Sequence, residues 1–187
     1  MNEIKSARTI QEIKSLLKDT KEVKINFGSS SVRLPGFLNL DFNPSADVDI
    51  ICDLNKLPYP FEDQSIDFIE INCVVEHLQI HLIDFLKEAK RILKHRGRMH
   101  LRTDNFFNWH SRISYLFAKW QDTEAYHPFH TWILDYDYTT KLCKHLGFSV
   151  VERKPTTSFF LIKSLEKFWP NMFARYVDVV LWNHSKN

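Results

Sequence analysis

The sequence has few cysteines and no long apolar run. Its three cysteines, Cys52, Cys73 and Cys143, are odd in number and widely spaced, which excludes a disulfide-stapled fold and a paired-cysteine metal motif. We expect them to be reduced core residues of a cytoplasmic protein. No apolar stretch approaches the roughly 20 residues that span a bilayer, and the amino terminus lacks the apolar core of a signal peptide. Hydrophobic content of 44% over 187 residues predicts one globular domain.

Basic residues are nearly missing from one part of the chain. Residues 41–84 hold ten acidic side chains and a single lysine, Lys56. Phosphate affinity comes from Lys and Arg, so this segment disfavours nucleic acid as a partner. Residues 85–120 hold nine Lys or Arg. A solvated helix face is the more common origin of such a basic block than a nucleic-acid footprint.

Only four glycines occur, and each falls where a turn is predicted. Between these turns, apolar β-type runs alternate with segments of helical spacing. Strands are predicted over 23–27, 37–41, 47–52, 66–71, 98–102, 148–152 and 157–162, and helices over 9–17, 74–93 and 137–146. This alternation predicts a doubly wound α/β fold, with a mostly parallel sheet covered by helices on both faces.

The single domain is expected to comprise three parts. Residues 1–22 form an N-terminal helical extension, 23–152 the core, and 153–187 a C-terminal strand and apolar tail. The tail is rich in aromatic residues. It could equally cover the core, form a homodimer contact or touch a membrane surface.

A candidate binding site lies at the ends of the first two predicted strands. The first ends at Gly28, Ser29 and Ser30, and the second ends at Asp41. Neighbouring parallel strands place such ends in one crevice, where doubly wound sheets bind ligands. The glycine allows close backbone approach, and the carboxylate can accept hydrogen bonds from ribose hydroxyls. We therefore predict a nucleoside-cofactor site, although Asp41 could instead be a simple turn carboxylate.

With these positions assembled, the chain resembles the class I S-adenosylmethionine-dependent methyltransferases, which have a Rossmann-like sheet. The resemblance is carried by the segments 26–30, 34–41, 52–54, 57–67, 75–78, 88–94, 97–98 and 145–148. They include Leu-Pro-Gly-Phe-Leu-Asn-Leu-Asp ending at Asp41, and Val-Glu-His-Leu ending at Leu78. The segments extend over 23–152, and their order and spacing together are more specific than any one alone.

The resemblance implies S-adenosylmethionine as the cofactor and a role for each motif residue. The methionine part would be met by Asn26, Gly28, Ser29 and Ser30 on one side, and by Asn72 and Cys73 on the other. Asp41 would bind the ribose, and Asp53 with the backbone of Leu54 would meet the adenine edge. Asp53 could alternatively begin the following turn. The family's motif has two or three glycines, whereas this chain has Gly28 alone.

Four side chains are candidate general bases for the acceptor: His77, Asp104, His127 and His130. His77 is expected to open the helix after the fourth strand, where packing or capping is an alternative role. Asp104 could merely start a turn. His127 and His130 could also contribute to a metal site, but no third ligand at diagnostic spacing is visible, so no metal is predicted.

These observations predict methyl transfer to a small-molecule or glycan acceptor, with the acceptor class resting on the resemblance. The alternative is a catalytically degenerate methyltransferase fold that serves as a binding or scaffold protein, which the single glycine motivates. A nicotinamide-nucleotide enzyme is disfavoured because the chain lacks Gly-x-Gly-x-x-Gly.

Overall fold

The computed structural model describes residues 9–18, 20–44, 47–117, 130–154 and 160–184, with only the backbone described over 160–163. Seven strands form one sheet in the order β3-β2-β1-β4-β5-β7-β6. They are β1 (Lys24–Phe27), β2 (Leu38–Asp41), β3 (Ile50–Ile51), β4 (Ile66–Asn72), β5 (Leu93–Asp104), β6 (Phe148–Arg153) and β7 (Tyr176–Asn183). β7 pairs antiparallel with both β5 and β6, and the other strand pairs of this sheet are parallel. The prediction of a single-domain, mostly parallel α/β sheet is confirmed.

Helices and turns connect the strands. They are α1 (Ile10–Leu17), α2 (Leu82–Ile92), α3 (Trp109–Leu116), α4 (Tyr136–His145), α5 (Phe160–Phe168) and α6 (Pro170–Phe173), with a 3-10 turn over Val75–His77. Thr9 caps α1 and exchanges hydrogen bonds with Glu12, as its sequence predicts. None of the helices described here combines the length and the apolar character that crossing a membrane requires.

The register of the central strands brings their carboxyl ends to one edge. Phe27 of β1 lies opposite Leu40 of β2 and Ile71 of β4, and all three are fully buried. Each strand leaves the core one or two residues later. The turn after β1, the end of β2 and the turn after β4 therefore share one rim of the sheet, where ligands bind in this class of fold.

The predicted helix over 74–93 is shorter than expected. Its first part is the 3-10 turn, which ends at Leu78 in an extended conformation, and α2 begins after His81, whose ring caps the helix. His77 therefore lies in the turn and does not open the helix. Arg96 rather than Gly97 takes the positive φ, and β5 already begins at Leu93, which pairs with Ile66.

The strand predicted over 157–162 is wrong for residues 160–162, which begin α5; residues 157–159 lie outside the described part of the chain. The C-terminal strand is β7, inserted between β5 and β6. Val177, Val179 and Val180 are buried in it, as expected for a strand covered on both faces. Phe168 and Trp169 before it are 73% and 62% exposed.

Candidate active site

The turn after β1 has a conformation that favours glycine. Gly28 has φ +66° and Ser30 has φ +48°. A Cβ on Gly28 would lie 2.6 Å from Cγ2 of Val74, which belongs to the segment after β4. Glycine is therefore required both for the backbone angle and for the close packing of the two turns. Ser29 is buried, and its Oγ has no hydrogen-bond partner within the described residues.

Asp41 at the end of β2 is tied to this turn. Its Oδ2 accepts a hydrogen bond from the backbone N–H of Ser30 at 2.9 Å, and its Oδ1 accepts one from Asn43 at the same distance. The side chain is buried, so its charge is held in place by these two donors. A carboxylate has about four acceptor positions, and two therefore remain for further donors.

Asn26 and Asp53, which were also predicted to bind the cofactor, form hydrogen bonds within the protein. The Asn26 amide donates to the carbonyl of Val32 at 3.2 Å and to Oδ1 of Asn39 at 3.1 Å, which holds the loop after β1 in place. Asp53 accepts from the backbone N–H of Asn55 at 3.0 Å. Asp53 thus begins a turn, as the alternative interpretation proposed, while its half-buried carboxylate stays at the rim.

Asn72 and Cys73 follow β4, at the same edge. Asn72 is exposed at the end of the strand. Cys73 has φ +53°, and its N–H donates to the carbonyl of Arg102 at 2.8 Å. Burial, with the nearby carboxylates of Glu76 and Asp104, raises the pKa of the Cys73 thiol to about 12. The thiol is therefore protonated at neutral pH and is a poor nucleophile. Leu54, the adenine-edge prediction, is buried, and its carbonyl accepts from Tyr59.

Three of the four predicted bases lie together beyond β4 and β5. The rings of His77 and His130 have centroids 4.7 Å apart, and Nε2 of His130 is 4.0 Å from Oδ2 of Asp104. Phe106 packs edge-on against His130 with centroids 5.3 Å apart. His127 lies outside the described residues. The structure thus brings His77, Asp104 and His130 into one cluster.

The cluster includes a carboxyl group that the sequence analysis did not single out. Glu76 is fully buried, and its Oε2 accepts a hydrogen bond from the hydroxyl of Thr103 at 3.0 Å. Burial raises the pKa of Glu76, although its own backbone N–H, Thr103, His77 and Cys73 oppose the shift. Its backbone carbonyl accepts from the N–H groups of Thr131 and Trp132 at 2.7 and 3.2 Å. The only sequence signal was an acidic residue following two valines at the end of a buried strand.

The residues at this rim fit an adenosyl cofactor carrying an amino-acid tail. Asp41 offers spare acceptor positions for ribose hydroxyls. The buried hydroxyl of Ser29 needs a partner, which a carboxylate or ammonium group could provide. Gly28 lets the turn pack closely against Val74, with which a Cβ at this position would clash.

Comparisons with known proteins agree with this arrangement. Residues 36–101 match a family described as a methyltransferase domain. No curated protein sequence matches the chain. An Archaeoglobus fulgidus SAM-dependent methyltransferase shares the fold with a TM-score of 0.57 and 14% identity, over 93% of this chain and 94% of that one. A SAM-dependent methyltransferase from Mesorhizobium loti has a TM-score of 0.54 and 10% identity, over 86% and 90%.

A third similar structure is a chain in the Haloferax volcanii complex of the Trm112 methyltransferase activator with a methyltransferase. Its TM-score is 0.59 and its identity 18%, over 94% of this chain and 89% of that chain. Identities this low show a common fold, and the match at residues 36–101 adds a methyltransferase domain over about a third of the chain. Together these findings confirm the resemblance: residues 36–101 match a methyltransferase domain, and the fold is the one seen in solved S-adenosylmethionine-dependent methyltransferases. They support methyl transfer as the reaction and S-adenosylmethionine as the cofactor.

Proposed function

We propose that this protein transfers a methyl group from S-adenosylmethionine to a small-molecule or glycan acceptor. The observation that carries the proposal is the hydrogen bond between the Ser30 N–H and Asp41, which joins the glycine turn to the end of β2 in one crevice. In the proposed site, Asp41 binds the ribose hydroxyls, and Gly28 with Ser29 accommodates the methionine tail. Asp53, Leu54, Asn72 and Cys73 complete it at the same edge of the sheet.

The cofactor supplies an electrophilic methyl group, so the protein needs mainly to align an acceptor and remove its proton. His77, His130 and Asp104 are the proposed bases. The cluster is suited to proton removal, because imidazole and carboxylate groups are the side chains that most often act as general bases. His77 is exposed, so an acceptor has access to it from solvent.

The acceptor is identified by incubating the protein with cofactor labelled on the transferred methyl group, together with panels of small hydroxylated compounds and oligosaccharides. We expect label transfer to at least one compound. His77→Asn or His130→Asn should then lower turnover by about 10²- to 10⁴-fold with little change in S-adenosylhomocysteine affinity. His110→Asn, an exposed histidine of α3, is the matched control and should keep full turnover.

One observation favours the alternative of a non-catalytic scaffold. Both Asp41 oxygens already accept backbone hydrogen bonds, and two serines stand where the family has glycines. A scaffold would bind neither S-adenosylmethionine nor S-adenosylhomocysteine, whereas the proposed enzyme binds both. Calorimetry with these two compounds therefore separates the two functions.

The proposal extends to partners and location. All three cysteines are unpaired, which supports a reducing, cytoplasmic setting. Exposed Phe168 and Trp169 support a homodimer contact at the end of α5. Sedimentation analysis of the native chain and of Trp169→Ser tests this contact. Nucleic acid is not proposed as an acceptor, because the site segment 41–84 is acidic.

A further inference from the structure

Metal-binding side chains meet beside the carboxyl end of β4. One ligand atom from each of Glu76, His77 and His130 lies within 4.8 Å of the other two. Ligand atoms around a tetrahedral zinc ion are about 3.3 Å apart, so modest side-chain rotations would bring these three onto one ion. Two imidazoles and one carboxylate form a donor set that zinc enzymes use, with a fourth position left for water or substrate.

A second, independent observation comes from the carboxyl group of Glu76. The side chain is completely buried. Its Oε2 accepts from Thr103, but its Oε1 has no hydrogen-bond partner among the described residues. A buried carboxyl oxygen without a partner is costly, and a bound cation would remove that cost. The hydroxyl of Thr103 would meanwhile orient the carboxylate from behind, as outer partners of metal ligands commonly do.

The backbone holds the three ligands in a fixed relation. His77 follows Glu76 in the 3-10 turn. The N–H groups of Thr131 and Trp132, which directly follow His130, donate to the carbonyl of Glu76 at 2.7 and 3.2 Å. A ligand 54 residues away in the sequence is thereby anchored to the turn that carries the other two. This arrangement supplies the third ligand that sequence spacing does not reveal.

We propose that Glu76, His77 and His130 form a binding site for a divalent transition-metal ion of the zinc type. Oδ2 of Asp104 lies 4.0 Å from Nε2 of His130, and a side-chain rotation that shortens this distance to a hydrogen bond would let Asp104 orient the ring. The site adjoins the rim that holds the proposed cofactor residues, because the turn follows β4 directly. Ion binding itself does not depend on methyl transfer. A histidine that ligates the ion no longer acts as a base, so the base role proposed above for His77 and His130 applies to the ion-free protein.

A second group of donors, Cys73, Glu76 and Asp104, shares one ligand with this site. We assign the ion to the histidine pair because two imidazoles with one carboxylate are an established zinc donor set, whereas one thiol with two carboxyl groups is not. Cys73→Ser should therefore leave metal affinity unchanged.

The test uses tag-free full-length protein, stripped with a chelator and titrated with Zn²⁺ by calorimetry. Titration with Co²⁺ reports the ligand geometry through its visible absorption. We expect one ion per chain. His77→Asn and His130→Asn should each weaken binding by at least about tenfold, with unchanged thermal unfolding of the metal-free protein. His110→Asn should match the native chain. Glu76→Gln should also weaken binding. If this buried substitution prevents folding, His77→Asn still tests the site, because His77 is exposed.

The proposal is overturned if the native chain binds no stoichiometric Zn²⁺ or Co²⁺ at tens of micromolar. It is also overturned if both histidine variants bind as tightly as His110→Asn, or if Cys73→Ser alone abolishes binding. None of these results bears on S-adenosylhomocysteine affinity, so failure of the metal site and failure of the proposed function remain distinguishable.

Discussion

The backbone N–H of Ser30 donates a hydrogen bond to Oδ2 of Asp41 over 2.9 Å, linking the turn after β1 to the end of β2. Together with the bond from the N–H of Ser29 to the carbonyl of Leu40 at 3.0 Å, it sets the position of the turn relative to the carboxylate proposed to bind ribose. It also means that Asp41 has two tasks. It stabilises the strained turn, and in the proposed site it offers its remaining acceptor positions to the ligand.

Substitution of Gly28 tests how closely the two turns must pack. Gly28→Ala places a Cβ against Val74 and in a left-handed conformation, so we expect a loss of roughly 2–4 kcal/mol in the free energy of unfolding. Gly36→Ala is the matched control, because φ is +78° there and no described atom lies within 4 Å. It should lose only about 1 kcal/mol.

Urea unfolding of both variants measures this difference. Adding Val74→Ala to Gly28→Ala should recover the steric part of the loss but not the backbone part. Equal losses for Gly28→Ala and Gly36→Ala would show that the contact with Val74 has no energetic consequence.

The carboxylate of Glu88 on α2 fastens the loop before β4. It accepts from the backbone N–H of Tyr59 at 2.7 Å and from two nitrogens of Arg91 at 2.9 and 2.6 Å. The hydrogen bonds from Arg91 lower the pKa of Glu88 despite partial burial. The ionised carboxylate of Glu88 therefore stabilises the fold at pH values above the pKa that Glu88 has in the unfolded chain. This stabilisation disappears as the pH falls through the lower pKa that Glu88 has in the folded chain.

Glu88→Gln should reduce the free energy of unfolding at pH 7 by roughly 1–3 kcal/mol, because the three hydrogen bonds that the carboxylate accepts from Tyr59 and Arg91 weaken. Glu62→Gln removes an exposed carboxylate that pairs with Lys14, and should change stability by less than about 1 kcal/mol. Equilibrium denaturation of both variants at pH 7 and pH 4 checks this. A loss that is equally large at both values would contradict the assigned charge effect.

A buried histidine links three strands of the sheet. His100 of β5 contacts Glu70 of β4 through Nδ1 and Asp178 of β7 through Nε2, both at 2.7 Å. Burial and the positive charge of Lys154 lower the pKa of His100. The carboxylates of Asp178 and Glu70 outweigh both effects and raise the pKa of His100 to about 9. Arg102, 3.9 Å from Asp178, shares that carboxylate.

Because the pKa of His100 is raised in the folded chain, protonated His100 stabilises the protein fully at pH values below its unfolded pKa of about 6.5. This stabilisation is lost as the pH rises through the folded pKa of about 9. The native chain should therefore lose about 3 kcal/mol relative to His100→Gln between pH 6 and pH 9.5. His184→Gln, at the exposed end of β7, should follow the native profile. Chemical denaturation across this pH range measures it, and parallel curves for the native chain and His100→Gln would refute the imidazolium assignment.

The sequence was sufficient to predict the sheet, because alternating runs and turn residues are local signals. The Thr9–Glu12 cap of α1 and the glycine turn after β1 are of this kind. The segment at 157–162 was misassigned over 160–162 because a short apolar run looks alike in a strand and in a buried helix.

The candidate site was only partly predictable for a different reason. His77 follows β4 and Asp104 is the last residue of β5, and the ends of these strands share one rim, so their proximity follows from topology. His130 lies beside them because the N–H groups of the next two residues, Thr131 and Trp132, donate to the carbonyl of Glu76. No local sequence pattern predicts these two long-range hydrogen bonds. The role of Glu76 is likewise visible only once its burial is known.

The most direct test of the proposed cofactor site is calorimetric titration of the native chain, Asp41→Ala and Asp63→Asn with S-adenosylhomocysteine. Asp63 is an exposed carboxylate before β4, at the opposite edge of the sheet, and serves as the control. We predict one binding site of micromolar affinity for the native chain and for Asp63→Asn, and a loss of roughly 1–3 kcal/mol for a folded Asp41→Ala. Absence of binding to the native chain, or equal affinity for Asp41→Ala, would contradict the proposed site.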